Sequence, residues 1–193
     1  MPTEVLIDQN SVKLLYDPEA FRAISFEKIV SSIPWQQNKI FLFGKEYLEP
    51  RLTYWCGPSY KYSSITWPST PWINILQGIR EELEFKLNFP FNAVLCNYYR
   101  NGADSMGWHS DNEPEIDQMM IASVSFGETR RFGVRERSSR ATQSFNLQHG
   151  SLLIMENFQK DWQHCIPTSK RPMNPRLNLT FRHIIAPKKP SMP

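Results

Sequence analysis

Arg176-Leu177-Asn178-Leu179-Thr180-Phe181-Arg182 alternates without a break between polar and apolar residues. A strand points successive side chains to opposite faces. One face therefore carries Leu177, Leu179 and Phe181, and the other carries Arg176, Asn178, Thr180 and Arg182. Working back from this strand towards Pro90, the stretches Phe91–Tyr99, Ile121–Phe126, Arg131–Arg135, Gln143–Leu147, Ser151–Met155 and Trp162–Ile166 are likewise short and mostly apolar. Turn signals at Asn101-Gly102, Phe126-Gly127 and His149-Gly150 separate them. Serial short strands punctuated by turns read as a β-sandwich or barrel.

Ahead of Pro90 the texture differs. Asp17 is placed to cap a helix over Asp17–Ile33, Pro18 suits its first position, and Phe21, Ile24 and Ile29 supply an apolar stripe. A second helix is expected from Thr70-Pro71 to Leu87, with strand-like pieces at Ile40–Phe43 and Tyr60–Thr66. The fold class is mainly β (α+β), with the N-terminal helices packed on one side of an all-β core. At 193 residues the chain is expected to form a single domain, 1–193.

Hydrophobic residues at 40% and charged residues at 21% exclude a disordered, charge-dominated chain. No apolar run approaches the ~20 residues that span a bilayer, so no membrane partner is expected. The opening MPTEVLIDQN has no basic cluster, so the chain is expected not to be secreted. Cys56, Cys96 and Cys165 are odd in number and far apart, which suits reduced thiols in a cytoplasmic (bacterial) or nuclear (eukaryotic) compartment.

Charge is unevenly placed. Residues 1–125 hold 10 Lys and Arg against 15 Asp and Glu, and residues 126–193 hold 12 against 4. Arg130, Arg131, Arg135, Arg137 and Arg140 fall within one short window. Such a cluster suits a polyanion, nucleic acid included; a solvated charged hairpin reads equally well.

Trp108-His109-Ser110-Asp111 places an imidazole and a carboxylate two residues apart, able to share one strand face. Trp162-Gln163-His164 brings a second histidine on a later strand. Two histidines and one carboxylate make the facial triad that holds non-haem Fe(II) with open coordination positions; a core histidine is the plainer reading of His164. The polar face of Arg176–Arg182 bears on the choice. In water it needs no explanation. Turned inward, two buried guanidiniums need anionic partners. A dicarboxylate supplies them, because Arg pairs bidentately with carboxylates. Iron and inward arginines together imply an anionic co-substrate such as 2-oxoglutarate.

The chain resembles the AlkB family of Fe(II)/2-oxoglutarate-dependent nucleic-acid demethylases. The resemblance rests on Phe91–Tyr99, Trp108–Pro114, Ile121–Gly127, His149–Met155 and, most specifically, Arg176–Arg182, within a span from about Pro50 to Ile185. It implies a double-stranded β-helix (jelly roll) core over residues 90–186. Residues 1–89 would form an N-terminal extension and nucleotide-recognition lid, and 187–193 a frayed tail. It also implies that His109, Asp111 and His164 ligate Fe(II), that Arg182 pairs with the distal carboxylate of 2-oxoglutarate, and that Arg176, Asn178, Asn97 and Tyr99 hold the co-substrate as well. With O2 as second co-substrate, the family's chemistry oxidises an N-methyl group, which leaves as formaldehyde while 2-oxoglutarate becomes succinate and CO2.

An enzyme of this kind takes its base out of the stack. The segment Arg51–Trp55 with Tyr60–Ser63 resembles the family's substrate lid, so Tyr62 is the candidate for stacking on a flipped alkylated base and Tyr60 for its edge or backbone; sheet packing is the alternative. Glu113 matches an acidic position suited to cationic 1-methyladenine and 3-methylcytosine; a solvated loop acid is the alternative. Phe43 resembles the wedge of duplex-preferring members, although the body motifs look more like single-strand members. The resemblance gives Arg130 and Arg135 phosphate contacts in DNA, with RNA as the second candidate strand; a monomer is the default expectation. Rival readings are a 2-oxoglutarate-dependent hydroxylase of a protein or small molecule, which needs neither plates nor phosphate grip, and a non-catalytic nucleic-acid-binding module, which needs a broken triad.

Overall fold

The computed structural model describes residues 3–42, 44–62 and 65–185, and at 41–42, 60–62 and 65–66 the backbone alone. In chain order the elements are β1 (Glu4–Gln9), β2 (Val12–Asp17), α1 (Phe26–Ser32), β3 (Lys39–Leu42), β4 (Lys45–Leu48), β5 (Leu52–Cys56), β6 (Tyr60–Tyr62), β7 (Ile65–Trp67), α2 (Asn74–Leu87), β8 (Ala93–Tyr99), β9 (Met106–His109), β10 (Met120–Gly127), β11 (Arg130–Glu136), β12 (Thr142–Leu147), β13 (Ser151–Glu156), β14 (Trp162–Ile166) and β15 (Arg176–Arg182). From β8 onward the strands are distributed between two sheets, with β8, β10, β13 and β15 in one and β9, β11, β12 and β14 in the other. All their pairings are antiparallel. This is the expected jelly roll.

The larger sheet has the order β1-β2-β13-β10-β15-β8-β5 and the smaller β12-β11-β14-β9. Residues 1–89 thus do more than lie beside the core: β1, β2 and β5 extend its main sheet. The segment Leu52–Cys56, expected within a lid, pairs with β8 instead. Both faces of this strand are covered, with Thr53 and Trp55 buried on one and Cys56 on the other.

Both helices are shorter than the sequence suggests. Asp17 ends β2, and its carboxylate accepts from the Glu19 amide at 3.0 Å, which closes a turn in place of a helix. Ser25 is the cap of α1 and accepts from the Lys28 amide. In front of α2, Thr70 and Gly57 exchange two backbone hydrogen bonds of 3.0 Å, which hold the Thr70-Pro71 stretch extended.

β15 lies inside the larger sheet, between β10 and β8, and every residue in it is buried. Its apolar face, Leu177, Leu179 and Phe181, joins Ile29 of α1 and Leu76, Ile79 and Leu83 of α2 in one cluster. Each such side chain contributes about 1.5–3 kcal/mol by leaving water. The helices therefore occupy one face of the sheet, and the polar face of β15 must look the other way, towards the smaller sheet. Register completes the arrangement: Arg176 stands opposite Tyr99, and Asn178 opposite Asn97. Among the described residues no helix is long and apolar enough to cross a membrane.

Candidate functional site

Strand pairing brings the two histidines together. β14 and β9 run antiparallel with His164 directly opposite His109, and the ring centroids are 4.2 Å apart. Phe132 stacks on His164 at 5.4 Å. The His109 ring is oriented by its own strand, with Nδ1 2.8 Å from the Gly107 carbonyl. A proton on Nδ1 leaves Nε2 with its lone pair. Asp111 lies past the end of β9, so the strand-face argument that joined it to His109 holds in outcome but not in geometry. The donor atoms of His109, Asp111 and His164 all lie within 4.8 Å of one another.

Electrostatics suit this trio to a divalent cation. Burial pushes the His164 imidazole down to about 3, and His109 beside it pushes the same way. Burial also lowers His109, against the opposing charge of Asp111. For Asp111, burial alone would raise the carboxyl, but Arg182 and the two histidines outweigh it and hold the group at about 2. Two neutral imidazoles and an ionised carboxylate are the protonation states in which these side chains bind metal. The buried His164 Nδ1 has no hydrogen-bond partner. The residues fit the metal that the triad implies.

The same shifts give a pH prediction for the metal-free protein. Both imidazoles have folded values below the ordinary 6.5, so their contribution is complete above pH ~6.5 and is lost as pH falls towards the folded values. Each costs at most about 1.4 kcal/mol per pH unit in that window. The urea midpoint of metal-free protein should therefore fall between pH 7.5 and 5.5, and an unchanged midpoint would contradict neutral buried imidazoles.

One internal cavity collects the inward residues. Its lining includes the metal trio, Asn97 and Tyr99 from β8, and Arg176, Asn178, Thr180 and Arg182 from β15. The expectation that this face points inward is met. Asn178 donates to Ser123 Oγ at 2.7 Å and accepts from Thr180 Oγ1 at 2.9 Å. Arg176 is fully enclosed and donates to Ser125 Oγ at 2.9 Å, while its Nε and Nη1 have no hydrogen-bond partner. Its guanidinium lies 5.3 Å from the Tyr99 ring centre. Burial lowers it to about 10, with Tyr99 opposing, so it stays charged at neutral pH.

The two arginines of β15 stand in different surroundings. Arg182 forms a buried ion pair with Asp111 at 2.8 Å, which puts it at the metal end. The arginine remote from the metal is Arg176, six residues away along the strand. At that remote end Arg176 holds Nε and Nη1 unpaired. Alternation puts both guanidiniums in the cavity but does not say which end of the strand meets the metal.

The structure corrects the expectation for Arg130. This residue is buried, and its guanidinium donates to the carbonyls of Asn101, Asp104 and Pro167 at 3.0, 3.0 and 2.7 Å. It ties two loops together and has no face left for a phosphate. Arg135 is half-buried, lies 4.5 Å over the Trp108 ring and donates to Gln163. Glu113 is half-buried in the loop after β9 and does not line the cavity. Tyr60 and Tyr62 share β6, but their side chains lie outside the described residues, as does Phe43.

Sequence reasoning passed over Arg51, which lines the cavity, donates to Asn97 Oδ1 at 2.7 Å and forms a buried ion pair with Glu49 at 2.9 Å. Only its place at the head of the supposed lid drew attention to it. Thr180 lay on the inward face of the alternating strand and was legible there.

The family model described as the 2OG-Fe(II) oxygenase superfamily matches residues 13–182. Alpha-ketoglutarate-dependent dioxygenase alkB homolog 3 of Bos taurus is 40% identical over 82% of this chain and 60% of its own length. DNA oxidative demethylase ALKBH2 of Homo sapiens is 38% identical over 84% of this chain and 67% of its own. The chain thus spans about 60% of the length of the alkB homolog 3 proteins it matches. The solved structure of OsALKBH1 superposes with a TM-score of 0.61 at 15% identity, covering 92% of this chain and 100% of that one, which shows a shared fold.

Proposed function

The chain belongs to the 2OG-Fe(II) oxygenase superfamily, and on that premise we propose that it oxidatively demethylates N-alkylated bases, 1-methyladenine and 3-methylcytosine, in DNA, with RNA as the second candidate strand, as a direct reversal of alkylation damage. The observation that carries the reading is a single buried cavity with a His-Asp-His cluster at one end and the enclosed cation of Arg176 at the other. The relatives named as an alkB homologue and a DNA oxidative demethylase support the choice of substrate.

His109, Asp111 and His164 would hold Fe(II), which with 2-oxoglutarate and O2 supplies the oxidising power for the methyl group. Arg176, with two unused donors, would bind the distal carboxylate of the co-substrate. Tyr99 and Asn178 keep that end of the cavity polar, and Asn97 is held in place by Arg51. Arg182 offers its charge at the metal end, where it already faces Asp111. Leu95, Phe132, Met155 and Ile166 wall the cavity with apolar surface and exclude water.

For the base, Tyr62 would stack on the flipped ring and Tyr60 hold its edge. Glu113 would favour the positive charge that N1 or N3 methylation creates. Arg135 would contact phosphate, which positions a strand without reading its sequence. The protein would act as a monomer, in the bacterial cytoplasm or in a nucleus.

The test offers short oligonucleotides carrying one 1-methyladenine or 3-methylcytosine, single-stranded and duplex, DNA and RNA, with Fe(II), ascorbate and 2-oxoglutarate. The expected result is loss of one methyl mass, dependent on both iron and co-substrate. Glu113→Gln should lower kcat/KM on these cationic bases by about tenfold, the equivalent of ~1.4 kcal/mol of charge interaction. Turnover of 2-oxoglutarate with no methyl loss on any strand would transfer the reading to a protein or small-molecule hydroxylase.

A further inference from the structure

Asp111 is the metal ligand that no strand holds. β9 ends at His109, so the main chain at Asp111 lacks the ladder that fixes both histidines. Its amide N–H instead donates to a side chain, the Oε1 of Gln159, at 3.0 Å. Gln159 sits in the connection from β13 to β14 and has no exposed surface at all. Its neighbours there, Phe158 and Trp162, are buried aromatics that stack on each other at 5.6 Å. Its Nε2 reaches only a thioether, Met155 Sδ, at 3.4 Å. Burying an amide among apolar groups is costly unless its hydrogen bonds are made, and a sulfur is a weak acceptor. A leucine or methionine would fill this space at lower cost. What the amide contributes is its oxygen.

The same connection grips the residue before Asp111. Ser110 Oγ donates to the Trp162 carbonyl at 2.6 Å and accepts from Arg137 at 2.8 Å. The stretch from Gln159 to Trp162 leads directly into His164. One short segment therefore holds the carboxylate ligand from behind and delivers the second imidazole.

We infer that Gln159 is a positioning residue for the metal centre: its amide oxygen substitutes for a strand partner and holds the Asp111 main chain where the carboxylate meets His109 and His164. This rests on the reading of the trio as a metal site. Groups standing behind metal ligands typically alter affinity by about 10–100-fold when removed.

The test is titration of the metal-free full chain with Mn2+, read by the paramagnetic resonance of the free ion, with a urea midpoint measured on each protein. Q159M fills the same volume without the oxygen and should bind Mn2+ about 10–100-fold more weakly while remaining folded. Q159E keeps an oxygen at the same reach and should restore binding. A folded Q159M with wild-type affinity would overturn the inference. If Q159M does not fold, Q159N decides: it keeps an amide in the core but withdraws the acceptor by one methylene, so about tenfold weaker binding supports the role and unchanged binding refutes it. Failure of the wild-type chain itself to bind Mn2+ would remove the metal-site reading, a separate outcome from equal binding by wild type and variant.

Discussion

Asp111→Ala is expected to abolish Mn2+ binding, and with it the proposed demethylation, and to cost a substantial part of the fold's stability, whereas His109→Ala should abolish the first two and leave the fold nearly intact. The difference follows from partners. Asp111 and Arg182 form an ion pair with side chains 2% and 3% exposed. Removing one member of such a pair leaves an uncompensated buried charge, which costs about 3–5 kcal/mol. His109 has one hydrogen bond, to the carbonyl two residues before it, and is one-fifth exposed. Its loss opens some space beside His164 and little else. The pair of measurements is a Mn2+ titration and a urea unfolding curve on each variant. Equal stability losses in the two variants would mean that the Asp111–Arg182 pair is not formed in the metal-free protein. Retained Mn2+ affinity in either would remove that residue from the metal site.

Arg176→Met carries the second large effect, and its stability change has the opposite sign. The guanidinium is 1% exposed with two donors unused, and burial already lowers its pKa to about 10. Without a carboxylate to face, its desolvation is offset only by the Ser125 hydroxyl and Tyr99, so an apolar side chain of similar length should leave the ligand-free protein as stable or more stable. Binding of 2-oxoglutarate then loses two charge-assisted hydrogen bonds at about 1.5–3 kcal/mol each. The KM for 2-oxoglutarate should rise by about 10²–10⁴-fold, at 1.4 kcal/mol per tenfold, while Mn2+ affinity is unaffected. An unchanged KM would move the distal carboxylate elsewhere. Arg182→Met is the control: it strands Asp111, so it should destabilise the ligand-free chain where Arg176→Met does not.

Much of this site could be read from the chain alone because it lies on strands whose period is strict. His109, His164 and the four polar residues of Arg176–Arg182 all point into the cavity, as alternation requires. Where the backbone leaves the strand, local reading failed. Strand logic joins Asp111 to His109, yet Asp111 sits past the strand end. Local sequence makes Asp17 a helix cap, yet it closes a turn after β2. β1 and β2 form a local hairpin with each other, but β2 joins the main sheet through β13, whose residues are more than a hundred positions away. Nothing local announces such a contact.

The arginines mark the boundary most clearly. Sequence by itself determined that Arg176 and Arg182 share one face, since side-chain period is a property of the strand. It could not determine that Arg130 is enclosed by three carbonyls while Arg135 lies on Trp108 at the outer face of the smaller sheet. Nor could it determine that Arg182 is the arginine beside Asp111. Those outcomes depend on which distant loops and strands converge on each guanidinium. Only the packed fold supplies that information, because a buried charge is placed by the partners that offset its desolvation and not by its neighbours along the chain.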